Sequence, residues 1–291
     1  MIHDLAVASL GGPLANLRIG TGARVHAVIQ QVGSSEVQAM LWNPTAAQRA
    51  QWISRALVPL WQAMLDAVRL RPGMQLLDAG CGSGEAVALA QARGADVSGI
   101  DCSEVMLAVA RETAPRAKLA LGDLESMPYP DDTFEAVIAC NSVHFAASPL
   151  QALREIARVT RPGARIAITS MGAREDLHIR RVVFEPTFAL HDGPPPSNPL
   201  ILSDPGALER LLAAAGLPIA TTIKVLCEWT FADFDEAWAA WRCIGPVNAV
   251  MKKVGEDRVR AAVKERADDL VREGNTYVLR DWWRVVVVES V

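Results

Sequence analysis

Leu76-Leu77-Asp78-Ala79-Gly80-Cys81-Gly82-Ser83-Gly84 is the stretch on which the fold turns. Two leucines and an aspartate read as the end of a short buried strand. Three glycines at alternate positions then read as a turn leading into a helix. Glycine accepts positive φ and lets the backbone approach a ligand closely. Dinucleotide-binding folds use the same device with the spacing G-x-G-x-x-G. Here the spacing is G-x-G-x-G, and Asp78 stands two residues before the first glycine. A carboxylate at that strand tip repels a pyrophosphate and suits a ligand bearing an ammonium group.

Outward from this turn the chain alternates regularly. Residues 75–78 read as a first strand and 84–93 as a helix stopped by Gly94. Residues 96–100 and 103–113 form the next pair. Residues 118–121 read as a third strand, 134–140 as a fourth, 148–159 as a helix and 165–169 as a fifth strand. Strands alternating with helices imply parallel pairing in a doubly wound α/β sheet. Upstream, Trp52, Leu57, Leu60, Trp61, Met64, Leu65 and Val68 recur at helical spacing over about 45–69. Residues 1–40 carry no strong period and are broken by glycines.

Downstream of Ser170 the regularity lapses into a stiff proline cluster at 193–199. Ser203-Asp204-Pro205 is expected to cap a helix ending at Gly216, followed by a strand over 219–231. Two helices are expected near 233–252 and 256–273, and a closing strand over 282–289. The expected organisation is an N-terminal extension with lid helices over 1–70, a core over 71–232 and 276–291, and a helical insertion over 233–275, read as a substrate lid hinged at Gly245-Pro246.

Composition narrows the classes of function. The net charge is −4 and the longest basic feature is Lys252-Lys253, which argues against a nucleic-acid partner. No apolar run approaches the ~20 residues that span a bilayer, and the start of the chain lacks the pattern of a signal peptide. The five cysteines show no C-x-x-C pair, so neither a zinc site nor a redox pair is signalled, and no metal is expected. They read as reduced thiols of a cytoplasmic protein. Oligomeric state stays open.

Three further positions share the strand tips with the glycine turn. Asp101 ends the second strand, 17 residues after Gly84, where an acid can accept both hydroxyls of an unphosphorylated ribose. Gly122-Asp123-Leu124 follows the third strand, and Asn141 the fourth. Carboxyl ends of parallel strands are where open α/β sheets bind ligands.

With these residues in view, the stretch from about 74 to 170 resembles the class I S-adenosylmethionine (SAM)-dependent methyltransferases, in particular the type 11 small-molecule group. The resemblance rests on LLDAGCGSG (76–84), GID (99–101), GDLESMPYPDDTFEAVIA (122–139) and LREIARVTRPGARIAI (153–168). It continues more loosely through 203–217 and the closing strand. It implies a Rossmann-like seven-stranded sheet of order 3-2-1-4-5-7-6 with an antiparallel last strand. It implies SAM as cofactor, S-adenosylhomocysteine (SAH) as product, and methylation at an O, N or C nucleophile of a small, partly apolar molecule. Residue by residue, Asp78, Gly80 and Gly82, with Cys81 between them, hold the methionine part of SAM. Asp101 holds the ribose, Cys102 and Met106 flank the adenine, Asp123 takes the adenine amine and Leu124 the ring. Asn141 approaches the amino-acid end, which Trp52 walls.

Blander readings stand beside these. The ligand roles of Asp78, Asp101 and Asp123 are preferred over turn-capping, helix-capping and turn roles, whereas Cys81 and Cys102 are read first as small buried side chains. Asp131-Asp132 reads as a solvated turn. His144, just after the fourth strand, is the candidate general base, or else a satisfied buried histidine. Trp229, Trp238, Trp241, Trp282 and Trp283 are core residues or the walls of an apolar substrate pocket. His178 and His191 read as surface residues. Two other functions share the nucleotide motifs: a non-catalytic SAM-binding regulator and an NAD-dependent dehydrogenase. A methyltransferase acting on RNA or protein is a further reading, and the charge balance weighs against RNA.

Overall fold

The computed structural model describes residues 34–46, 52, 54–192 and 199–290. The leader before residue 34 and the proline cluster at 193–198 lie outside the described residues. The elements in chain order are α1 (Ser34–Trp42), α2 (Ser54–Ala67), β1 (Gln75–Ala79), α3 (Glu85–Ala92), β2 (Asp96–Asp101), α4 (Glu104–Thr113), β3 (Lys118–Leu121), β4 (Phe134–Ala139), α5 (Pro149–Val159) and β5 (Thr160–Met171). Then follow α6 (Glu185–Phe188), α7 (Ala207–Ala214), β6 (Ile219–Phe231), α8 (Phe234–Trp241), α9 (Gly245–Val254), α10 (Glu256–Leu270), β7 (Arg272–Glu273) and β8 (Thr276–Glu289).

The strands form one sheet of order β3-β2-β1-β4-β5-β8-β6, with β7 paired to β8. The first five are mutually parallel, and β8 runs antiparallel between β5 and β6. This is the expected seven-strand order, with β8 in the place of the closing strand and β7 as a two-residue addition. Both faces are covered. Consecutive residues of one strand enter opposite clusters: Leu76 and Leu77 of β1 do so, as do Val285, Val287 against Val286, Val288 of β8. On one face Leu60, Met64 and Leu65 of α2 pack with Val87 of α3. On the other, Leu153 and Ile156 of α5 pack with Leu208 and Leu212 of α7. Each such side chain contributes about 1.5–3 kcal/mol when fully buried.

The C-terminal third departs from expectation in three places. β8 begins at Thr276, not 282, because it pairs along the whole of β6, from Ile219↔Val288 to Phe231↔Tyr277. The insertion holds three helices, not two, since Pro246 in the first turn of α9 separates it from α8. Helix α7 starts at Ala207, with Gly206 at φ +73° in the cap position. Ser203 and Asp204 do not cap it with their side chains: the Ser203 hydroxyl donates to Met171 O (3.4 Å) and Asp204 pairs with Arg174 (2.7 Å).

Candidate active site

The carboxyl ends of β1 to β4 meet at one edge of the sheet, and the glycine turn forms the floor of a cleft there. Gly80 N–H and Cys81 N–H both donate to Ile100 O, at 2.8 and 3.0 Å. Gly82 N–H donates to Asp101 Oδ2 at 2.9 Å, so the turn is tied to the tip of β2. Gly80 has φ +87°, and a Cβ there would lie 2.3 Å from the Ser142 Cβ. Only glycine lets the segment after β4 come this close.

Asp101 Oδ1 accepts from Ser103 N–H at 2.9 Å. One carboxylate therefore orders both the glycine turn and the start of α4, whose N-cap is the Ser103 side chain, accepting from Met106 N–H. The helix-cap reading of Asp101 is thus half right: Ser103 is the cap, and Asp101 positions it. The carboxylate also lines the cleft, together with Cys102, Met106, Gly122, Asp123 and Leu124. Asp123 Oδ1 accepts from Glu125 N–H (2.9 Å), so it closes a turn and faces the cleft at once. Burial and the neighbouring Asp101 push the Cys102 thiol up to about 12, and Cys81 is raised well above its usual value. Both are inert thiols at neutral pH.

Asp78 lies deeper. It is 2% exposed, and its Oδ1 has no hydrogen-bond partner among the described residues. Burial, then the charges of Asp101 and Glu85, raise its pKa to about 8. It lines a small recess with Trp61, Cys81 and Glu85, and this recess shares Gly80, Gly82 and Asn141 with the main cleft. Three acids gathered around a glycine turn, one of them buried and unpartnered, are what a positive ligand group would relieve. Asn141 takes φ +55°, held there by its N–H to Thr169 Oγ1 (2.9 Å) and by the Thr169 hydroxyl donating to Asn141 Oδ1 (3.1 Å).

At its other end the cleft is apolar. His144 sits in a helical turn at 143–145, 6% exposed, its ring 4.1 Å from that of Phe145. Burial lowers its pKa to about 4, so the ring is neutral at pH 7. Trp229 of β6 and Trp283 of β8 line this end, with Met171, Ile179, Phe184, Ile244 and Pro246.

Most of the expected site residues come together here; the readings of Trp52 and His178 need correction, and the late tryptophans divide between their two readings. Trp52 packs half-buried against the core and is absent from both cavity walls; Leu57 and Trp61, further along the same chain direction, take that position. Trp238 and Trp241 are core residues, Trp241 fully buried and Trp238 donating to Glu256 of α10 (3.0 Å). Trp282 is 40% exposed on the opposite side of β8 from Trp283. His178 is half-buried rather than on the surface, its Nδ1 accepting from Arg280 N–H at 3.2 Å. Sequence reasoning placed lid helices within 1–70 but did not identify α1 or its cleft residues. Ser35, Gln38 and Trp42 line the cleft, and their spacing of three and four was the available signal. Trp42 meets Phe145 edge to face at 5.4 Å and lies against Gly245, while Asn43 accepts from the Ser103 hydroxyl.

Comparison with known proteins agrees with this geometry. The family model described as a methyltransferase domain matches residues 77–168. The chain is 32% identical over 158 residues to 27-O-demethylrifamycin SV methyltransferase of Amycolatopsis mediterranei, covering 52% of this chain and 57% of that one. It spans about half the length of the curated relatives it matches. Among solved structures, a candidate methyltransferase from Bacillus halodurans is similar with a TM-score of 0.54 and 19% identity, over 79% of this chain and 98% of that one. The [4+2]-cyclase SpnF is similar with a TM-score of 0.53 and 22% identity, over 79% and 80%. These two likenesses concern the fold alone. Sheet order, strand-tip acids and the matched segment converge on one description: residues 77–168 match a methyltransferase domain.

Proposed function

We propose that the chain is an enzyme that binds SAM in this cleft and transfers its methyl group to an O, N or C nucleophile of a small, partly apolar molecule. The observation that carries the proposal is Asp78, a buried carboxylate with an unpartnered oxygen beneath the glycine turn. An ammonium group entering the recess supplies the missing partner, and the Gly80 and Gly82 backbone leaves room for the chain that bears it. Asp101, oriented by two backbone donors, receives the ribose hydroxyls. Cys102, Met106 and Leu124 flank the adenine ring, and Asp123 accepts from its amine. When bound, SAM supplies a methyl group already activated by a sulfonium charge, so placement of the acceptor in line provides much of the acceleration.

The protein's own contribution is then positioning and water exclusion. Helix α1 and the start of α9 close over the apolar end and act as the lid of the acceptor pocket, with 233–275 as the inserted lid unit. His144 stands at the acceptor end as the candidate base. A dehydrogenase binding NAD shares the ribose acid but fits less well, because the glycine spacing is G-x-G-x-G and Asp78 would face a pyrophosphate, with no Lys or Arg among the described residues lining the cleft. The likeness to a cyclase is a reminder that the fold does not itself dictate the reaction.

The test is turnover. Protein incubated with methyl-labelled SAM and a panel of small hydroxylated, amino and enolisable acceptors should release SAH and label at least one acceptor. Tight SAM binding with no label transferred to any acceptor would favour a non-catalytic SAM-binding protein.

A further inference from the structure

The apolar end of the cleft has a chemistry of its own, and the inference drawn from it rests on the reading that SAM occupies the other end. Its walls are Phe145, Met171, Phe184, Trp229, Ile244 and Trp283, contributed by segments from residue 145 to residue 283. The acids of the cleft, Asp101 and Asp123, belong to the strand tips at the opposite end. No lysine or arginine stands among the described residues that line it. An anionic group placed here would lose its hydration without a cation from the described walls in return. Aromatic rings from separate elements form walls suited to a ring of similar size.

Ser35 and Gln38 of α1 and His144 bring polar side chains to this surface. His144 is buried, lines the cleft and is held neutral by its burial. A neutral imidazole keeps one ring nitrogen free to accept a hydrogen bond. Among the described residues the end therefore combines an acceptor nitrogen with no charged side chain.

We propose that the acceptor is an uncharged aromatic ring compound carrying a hydroxyl group, held between the tryptophan and phenylalanine walls, with its hydroxyl donating to His144. The described walls offer a carboxylated or phosphorylated acceptor no cation and so disfavour it.

Three probes of one size separate these points: naphthalene, 2-naphthol and 2-naphthoate, titrated by ligand-observed NMR into the free protein and into protein with SAH. The proposal expects 2-naphthol to bind two- to tenfold more tightly than naphthalene, the range for one net hydrogen bond. It expects 2-naphthoate to bind at least about tenfold more weakly than 2-naphthol. In His144→Phe the preference for 2-naphthol over naphthalene should vanish while naphthalene still binds. In His144→Gln, which retains an acceptor oxygen, part of the preference should return. Naphthoate binding as tightly as naphthol, a naphthol preference that survives His144→Phe, or no binding of any probe would each overturn the proposal. Failure of SAH to bind would instead overturn the cofactor reading, and the probe titrations on the free protein would still decide this one.

Discussion

Asp78 concentrates the argument at the scale of single residues. With its pKa raised to about 8 by burial and by Asp101 and Glu85, it is mostly protonated below pH 7. An ammonium ligand needs it ionised, so binding should release close to one proton between pH 6 and 7. Affinity for SAM should then rise nearly tenfold over that unit, while the ligand's own α-amino group, with a reference value near 7.7–8.0, stays charged. Calorimetry in buffers of different ionisation enthalpy counts the proton. Asp78→Asn should remove the release and weaken SAM at least about thirtyfold, since stranding one member of a buried charge pair costs about 2–5 kcal/mol. An unchanged proton count in that variant would remove Asp78 from the site. Gly80→Ala tests the turn itself. Its Cβ meets the Ser142 Cβ at 2.3 Å in a positive-φ position, so unfolding experiments should show a loss of about 2 kcal/mol or more. These residues were legible in the sequence because glycine spacing and strand-tip acids are local patterns. His144 was legible as a candidate only; its burial and neutrality are properties of the packing around it.

At the scale of elements, legibility followed period and length. Strands β1 to β4 fell where alternation and turn residues put them, and α2 showed its face through Leu57, Leu60, Trp61, Met64 and Leu65, all buried. Helix α1 escaped because its cleft face is Ser35, Gln38 and Trp42, two of them polar, so no apolar stripe announces it. The tryptophans divided between the core and pocket-wall readings for a similar reason. Trp282 and Trp283 are adjacent, and on a strand only one of two neighbours can face the cleft. Which one does is set by the register of β8 against β5 and β6, and that register is not written in either residue. Because α1 spans from Ser103 of the nucleotide end, through Asn43, to Gly245 of the insertion, through Trp42, it should tighten when the cleft fills. Backbone amides of 34–42 should exchange with solvent more slowly in the presence of SAH. Exchange unaffected by SAH would mean that α1 is a fixed wall and no lid.

The whole molecule carries an electrostatic signature of the same design. Asp78 and Asp281 are both buried carboxyls with raised pKa values, about 8 and about 7, each chiefly through burial. Asp281 ties the chain after β5 to β8 by accepting from Ile179 N–H at 2.9 Å. A carboxyl whose folded value lies above its unfolded one contributes stability that is complete below the unfolded value, near 3.8, and lost as pH rises through the folded one. The free protein should therefore lose thermal stability between about pH 4 and pH 8, by at most about 1.4 kcal/mol per pH unit for each group. Asp281→Asn should flatten the part of that slope below about pH 7, and a melting curve series across pH checks it. SAM should restore stability at the upper end, where Asp78 is ionised and paired. At this scale the sequence disclosed the sheet and its order through a family likeness over about 74–170, continued more loosely through 203–217 and the closing strand, but not the acceptor pocket, whose walls are gathered from residues 35 to 283. The most direct test of the central claim is a calorimetric titration of the protein with SAM, SAH and NAD, repeated on Asp101→Ala. The account predicts saturable binding of SAM and SAH, none of NAD, and a loss of at least about tenfold in the variant, whose Gly82 and Ser103 backbone donors lose their shared acceptor. A folded protein that binds neither SAM nor SAH, or an Asp101→Ala variant that binds them as well as the parent, would contradict it.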